Sequence, residues 1–263
     1  MLKGLYTAYS GMVNEQNRMD VLTNNLANSA TTGYKAEGAT SQTFDAMLAY
    51  RIKDDQDGYA GGVYLGRNNP GVKIGETYTD YSQGSFRETG NTYDMALSGE
   101  GFFTIEYTNR AGETSTMYTR DGSFTLTKEG YLVTKDGDYV LGKGANGEVG
   151  HIQIDPTQNA SIDTSGRIVQ NDQVIATLQI TDFEDYNFLE HYGENFYRPV
   201  EGAEITESSA KVQSGYLEAS NVQVVREMVE LISVTRQYES NQKILQAYDE
   251  TLQISVNELG KLY

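Results

Sequence analysis

Cysteine and tryptophan are absent from the 263 residues, histidine occurs twice, and proline stands only at positions 70, 156 and 199. Without cysteine there are no disulfides, no thiolate nucleophile and no Cys-ligated metal. His151 and His191 lie in neither His-x-x-His nor His-Glu-x-x-His spacing, and no G-x-S-x-G marks a serine nucleophile, so no catalytic motif is present and no cofactor is expected. Positive charge is scarce: 20 Lys and Arg face 37 Asp and Glu, for a net charge of −17. Nucleic-acid affinity rests on clustered Lys and Arg, so a nucleic-acid partner is excluded. No stretch reaches the ~18 apolar residues of a transmembrane helix. The segment Met1-Leu2-Lys3-Gly4-Leu5-Tyr6-Thr7 lacks a continuous apolar core, which predicts export, if the protein leaves the cytoplasm, without a cleaved signal peptide.

What the sequence does contain is heptad periodicity at both ends. Between Gly215 and Gly260 there is neither Gly nor Pro, and apolar residues recur every seventh place at Val224, Leu231, Tyr238, Leu245, Leu252 and Leu259. A second row three places on holds Val234, Tyr248 and Leu262, interrupted by Glu227, Asn241 and Ser255. Val225, Met228, Val229 and Ile232 widen the stripe near its start. Ser220 with Gln223 has the form of a capping box, predicting a helix start near Asn221. A helix of some 40 residues would run about 60 Å, longer than a domain of this size covers by itself.

Leu5, Met12, Met19 and Leu26 stand seven apart at the other end, with Ala8 and Leu22 three places after Leu5 and Met19. Asn24, Asn25 and Asn28 crowd the end of this pattern and Gly33 stops it. The two helices are expected to pair as an α-helical hairpin or coiled coil. Two packed helices of an ordinary α+β domain are the plainer alternative. Against it, both helices are terminal and their stripes are longer than the middle of the chain needs.

Between them the expected organisation is a connector over 29–75, irregular or partly extended, and an inserted β domain over 76–213. The axial helices occupy 1–28 and 214–263. The connector is punctuated by Asp54, Asp55, Asp57, Gly58, Gly61 and Gly62, with one short amphipathic piece over 40–50. From about residue 72 the period becomes two. Short strands are expected at 102–107, 117–120, 123–127, 131–134, 139–141, 151–154, 161–162, 167–170 and 174–181. Turn pairs separate them, among them Asp121-Gly122, Glu129-Gly130, Asp136-Gly137, Asn146-Gly147 and Ser165-Gly166. The fold class is therefore α+β, with an antiparallel barrel- or sandwich-like domain inserted between terminal helices. Residues 182–213 read as loops with a late extended piece.

Two segments mimic binding motifs. The run 142–147 fits G-x-G-x-x-G, but the following residues read as a strand, so the helix N-terminus that would hold a pyrophosphate is missing and a hairpin loop is the expectation. The segment from Lys53 resembles a calcium loop, yet Lys53 and Tyr64 occupy the places of its first and twelfth ligands. Of the twenty tyrosines, Tyr6, Tyr9, Tyr216, Tyr238, Tyr248 and Tyr263 lie on or beside the terminal helices, where a contact role is expected.

Four motifs in register carry a family resemblance. Asn24-Asn25-Leu26-Ala27-Asn28 followed by Thr32-Gly33-Tyr34-Lys35 resembles the N-terminal signature of bacterial flagellar rod and hook proteins. Gln83-Gly84-Ser85-Phe86, Thr89-Gly90-Asn91 and Gly99-Glu100-Gly101-Phe102-Phe103 are similar to their second signature, with Tyr93 where Leu is more usual. The runs 118–124 and 215–222, the latter containing Ser220, Asn221 and Val222, complete the match across essentially the whole chain. The resemblance implies a structural, non-enzymatic subunit of the basal-body rod. Such a subunit self-assembles through its terminal helices into a tubular shaft that transmits motor torque and conducts exported subunits. It also implies export by the flagellar type III apparatus, with partners limited to copies of itself, other rod and hook proteins and that apparatus. Length and the 118–124 and 215–222 motifs favour the distal rod type, the alternatives being the proximal type and a related Gram-positive hook–basal-body protein. A reading from another class is a stand-alone secreted binding module, a coiled-coil fibre with a β head.

Overall fold

The computed structural model describes residues 2–44, 47–52, 62–69, 71–109, 112–144, 147–193 and 195–259. The acidic turn at 53–58, the loop residues Ala145 and Asn146, and Leu262 and Tyr263 fall outside them, as do the side chains of Tyr64 and Leu259. The protein is α+β. Helix α1 spans Leu2–Ala27 and α2 spans Val224–Leu259, and every strand pairing among the described residues is antiparallel. By Cα proximity the chain divides into two compact units. One comprises Met1–Ala27, Glu37–Thr79 and Gln223–Tyr263, and the other comprises Asn28–Ala36 and Asp80–Val222.

The first unit contains both helices and two strand pairs. Strand Glu37–Thr43 pairs with Val72–Thr79, and Met47–Ile52 pairs with Gly62–Asn68. The 29–75 stretch thus carries regular strands. Its sequence gave little sign of them because Glu37–Thr43 reads EGATSQT, with no apolar alternation to mark a buried face. The amphipathic piece expected over 40–50 is extended chain from two different strand pairs. Helix α2 begins at Val224, three residues later than the capping box predicts. Its first turn closes with the Glu227 N–H donating to the Gln223 carbonyl at 3.0 Å. The Ser220 hydroxyl instead accepts from the Val222 N–H at 3.2 Å. At ~1.5 Å per residue, the 26 residues of α1 span about 39 Å and the 36 of α2 about 54 Å.

The second unit is built on one large sheet. Its strands run in the order Ala160–Ile162, Arg167–Gln170, Gln173–Leu178, Tyr139–Gly144, Phe102–Thr108, Thr114–Thr119, Phe196–Pro199 and Leu189–Tyr192. Strands Lys211–Ser214 with Met95–Ser98, and Tyr216–Glu218 with Phe86–Glu88, form separate pairs. Strands Leu189–Tyr192 and Phe196–Pro199 fall where loops are expected, because they are four residues long and lie among Tyr, Glu and Asn, while Lys211–Ser214 is the late extended piece. Met95, Leu97, Phe103, Ile105, Phe124 and Leu132 head the main core, and a second cluster joins Phe102, Tyr118, Phe183 and Tyr197. After Gly144 the next described strand, Val149–His151, folds back on Tyr139–Gly144, so the glycine-rich run bridges a hairpin.

Candidate assembly surface and signature cluster

In the first unit α1 and α2 lie side by side and antiparallel, as their facing residues require. Gly4 faces Tyr248, whose ring a Cβ at Gly4 would strike, and Gly11 faces Asn241. Arg18 Nη2 donates to Glu230 Oε1 at 3.0 Å, and Asn25 Nδ2 to Glu227 Oε2 at 3.4 Å. Ala8, Leu22 and Val234 are buried between the helices and strands, Val234 at 1% exposure. Leu5, Met12, Met19, Leu26, Leu231, Tyr238, Leu245 and Tyr248 are partly buried. Val224 and Leu252 are exposed, at 37% and 38%. The reason for Leu252 is length: with Gly4 opposite Tyr248, the last turns of α2 run past the start of α1.

The polar interruptions of the heptad serve the same face. Glu227 is buried against Asn25, whose Nδ2 also donates to the Glu37 carbonyl at 2.7 Å while its Oδ1 accepts the Glu37 N–H at 2.9 Å. A buried polar group in an apolar seam is satisfied in only one register, so it fixes the alignment at some cost in stability. Asn24 is exposed, and Asn28 is half-buried, its carbonyl accepting the Thr31 N–H at 3.1 Å.

The remaining signature residues meet in the second unit around a carboxylate that the sequence reading did not single out. Glu218, 1% exposed, takes Lys35 Nζ at 2.6 Å and the Gly84 N–H at 2.9 Å on Oε1, and Arg120 Nη1 at 3.3 Å on Oε2. Lys35 also donates to the Ser82 carbonyl at 2.9 Å, and Arg120 Nη2 to the Gly99 carbonyl at 2.8 Å. The Arg120 guanidinium lies over the Phe102 ring, 5.4 Å from its centroid. Burial pulls the Lys35 ammonium below its ordinary value, and the Glu218 carboxylate opposes that pull. With the carboxylate 2.6 Å away, we describe the pair as ionic.

Two glycines of the signatures, Gly33 and Gly84, let backbone approach this network. Gly33, at φ 70°, donates to the Glu218 carbonyl at 2.8 Å and lies against the Arg120 backbone, and Gly84 lies against the Ala219 carbonyl. Asn221 fastens two segments, its Oδ1 accepting the Ala36 N–H at 2.8 Å and its Nδ2 donating to the Asp80 carbonyl at 2.7 Å. Tyr34, Ala36 and Val222 close a small apolar cluster. Gln83 donates to the Leu97 carbonyl at 2.5 Å, Gly101 adopts φ 130°, and Phe102 and Phe103 are core residues. Lys35, Arg120 and Glu218 each lie inside a signature motif, but the sequence carries no signal that pairs them, since Lys35 and Arg120 stand 183 and 98 positions from Glu218.

Two chain ends forming long helices laid together, with motifs spent on internal fastening, is the layout of a structural subunit. Three family models match in order along the chain. They are Flagella basal body rod protein over residues 5–35, Flagellar hook protein FlgE/F/G D1 domain over 96–170, and Flagellar basal body rod FlgEFG protein C-terminal over 213–259. The chain belongs to this family of flagellar basal-body rod and hook proteins. It is 34% identical to the flagellar basal-body rod protein FlgG of Bacillus subtilis, over 98% of this chain and 99% of that protein. It is 33% identical to FlgF of Caulobacter vibrioides over the whole of both chains, and 30% identical to the hook–basal body complex protein FlhO of Bacillus subtilis, again over both.

Proposed function

We propose that this protein is a structural subunit of the flagellar rod, joined to its neighbours through its terminal helices and active by stiffness instead of chemistry. The observation that carries this reading is the full-length match to rod proteins, in the same chain whose two ends form the paired helices of one unit. In this reading the α1–α2 pair is a coiled-coil hairpin within the tube wall, and the domain over 76–213 is a barrel- or sandwich-like body. The seam from Leu5 to Leu26 against Val224 to Leu259 serves both the subunit fold and the polymer. Each such side chain stabilises by roughly 1.5 to 3 kcal/mol when fully buried. Leu252, exposed at 38%, gains that only on assembly. The helices thus complete their packing in the shaft, which carries torque to the hook and conducts exported subunits. Partners are other rod and hook proteins, and export is by the flagellar apparatus without a cleaved signal. We place the chain at the distal rod, on the motifs at 118–124 and 215–222. The stand-alone binding module draws no support from these relatives.

The test is replacement of Leu245 and Leu252 together by Asp in the native host, followed by motility assay and mass spectrometry of purified basal bodies. The expected result is loss of motility and absence of the variant from basal bodies, with the tyrosine near-ultraviolet circular dichroism of the purified chain retained. Normal incorporation of the variant would refute the seam as the polymer contact.

A further inference from the structure

The α1–α2 pair carries unsatisfied apolar surface on two opposite sides. On α2, Glu227, Val234, Tyr238 and Leu245 face α1. At about 100° per residue, Val225, Val229 and Ile232 point the other way, and Met228 flanks them. These four form a ridge, exposed at 77%, 63%, 52% and 47% for Val225, Val229, Ile232 and Met228. On α1, Gly4, Gly11, Arg18 and Leu22 face α2, while Tyr6, Tyr9 and Val13 point away from it. There they meet Phe44, Val72 and Ile74 to line an open groove of about 470 Å³. Tyr6, Tyr9, Val13 and Phe44 are all exposed. An exposed apolar row on α2 and a concave apolar groove beside α1 thus sit on the two outer sides of one unit. Neither can reach the other within the same chain.

We infer that the groove receives the α2 ridge of a second copy of this chain, a head-to-tail contact that repeats from copy to copy. This deepens the rod reading and rests on it. Complementary patches at different places on one molecule generate rings or open helical filaments, never a closed pair, which is the geometry a shaft needs. Size agrees: from Val225 to Ile232 is seven steps of about 1.5 Å, about 10 Å of helix, and Tyr6 to Asn17 offers about 16 Å. Charge bears on it as well. Copies carrying −17 each repel less where their contact is free of like charge, and among the described residues lining the groove none is acidic and Lys73 alone is charged. Beyond the groove, exposed Asp20 lies one turn past Asn17, while exposed Arg226 and Arg236 flank the ridge. The border of the ridge also holds exposed Glu239, while Glu230 is held by Arg18 at 3.0 Å, so Asp20 of one copy has arginines to meet and Lys73 has Glu239; rim charges of this kind set orientation more than affinity.

The absence of cysteine makes the test clean. Val13→Cys and Val229→Cys are introduced singly and together into the full chain in its native host, and isolated basal bodies are oxidised and run without reductant. The double variant should give a ladder of multimers of this chain, which reductant collapses, while each single variant should remain monomeric. In parallel, Val229→Glu should lower incorporation at least tenfold. A double variant present in basal bodies without a ladder, or Val229→Glu incorporated at wild-type yield, would overturn the ridge-in-groove contact and leave the rod reading intact. A Val13→Cys adduct to a different protein would overturn the second copy as occupant. If the wild-type chain is missing from basal bodies the rod reading fails instead. The same cross-link, sought on the purified chain at high concentration, then decides the contact: a ladder upholds it and its absence refutes it.

Discussion

Removing the Glu218 carboxylate should unfold the second unit more readily than any other single change in the signature motifs. Glu218→Ala leaves Lys35 and Arg120 buried without their common counter-ion, and the Gly84 N–H without its acceptor. Breaking a buried ion pair from one side costs about 3–5 kcal/mol, because the orphaned charge keeps its desolvation penalty. Here two cations are orphaned, so the loss belongs at the upper end. Against a total stability of about 5–15 kcal/mol this is a third or more. At about 2–4 °C per kcal/mol it lowers Tm by roughly 6–20 °C. Urea and thermal unfolding of the full chain, followed by near-ultraviolet circular dichroism of the Tyr81, Tyr186 and Tyr197 cluster, measure it. The decisive comparison is the triple variant Lys35→Met, Arg120→Met, Glu218→Leu. Replacing a buried ionic set by apolar side chains of similar volume is often neutral or stabilising, so the triple should be more stable than the single. A single variant that loses less than about 1 kcal/mol, or a triple less stable than the single, would refute the argument that the charges act as one set.

Gly84→Ala should destabilise by several kcal/mol, since the added Cβ would overlap the Ala219 carbonyl, and both neighbours are backbone; chemical denaturation checks this. Leu22→Ala should cost about 2–5 kcal/mol in the monomer, whereas Leu252→Ala, at an exposed site, should stay within about 0.5 kcal/mol there; calorimetry of both separates intramolecular seam from overhang. Tyr186 supplies a pH test. Burial, with the hydrogen bond to Asp182 at 2.8 Å, holds its phenol well above the ordinary value. The folded state therefore keeps this proton when the unfolded state releases it. The stabilisation is fully present below about pH 10 and is lost as pH rises from there towards the folded value. The slope for one group is at most about 1.4 kcal/mol per pH unit, and less for this partly exposed ring. Tyr186→Phe should flatten the alkaline limb of a Tm-against-pH curve; an unchanged limb would show the ring is not held as described.

Some of this protein was fixed by local rules and could be read without coordinates. The two heptad runs declare their helices because a period of three and four residues is set by the backbone of one segment alone. The pairs Glu129-Gly130, Asp136-Gly137 and Ser165-Gly166 declare antiparallel hairpins for the same reason, since a turn is decided within four residues, whereas Asp121-Gly122 joins strands that do not pair with each other. The four signatures place the chain in its family by residue identity. What the tertiary structure decided is every statement about which distant residues meet. Lys35 and Glu218 are 183 positions apart, and Arg120 and Glu218 are 98, so nothing in their own neighbourhoods marks them as one network. Glu227 and Asn241 read as flaws in a heptad until Asn25 and Gly11 are seen opposite them. Equal heptad spacing says that Leu231 and Leu252 belong to one stripe. Only the pairing of Gly4 with Tyr248 shows that α1 covers the first and stops short of the second, because coverage depends on where the partner begins.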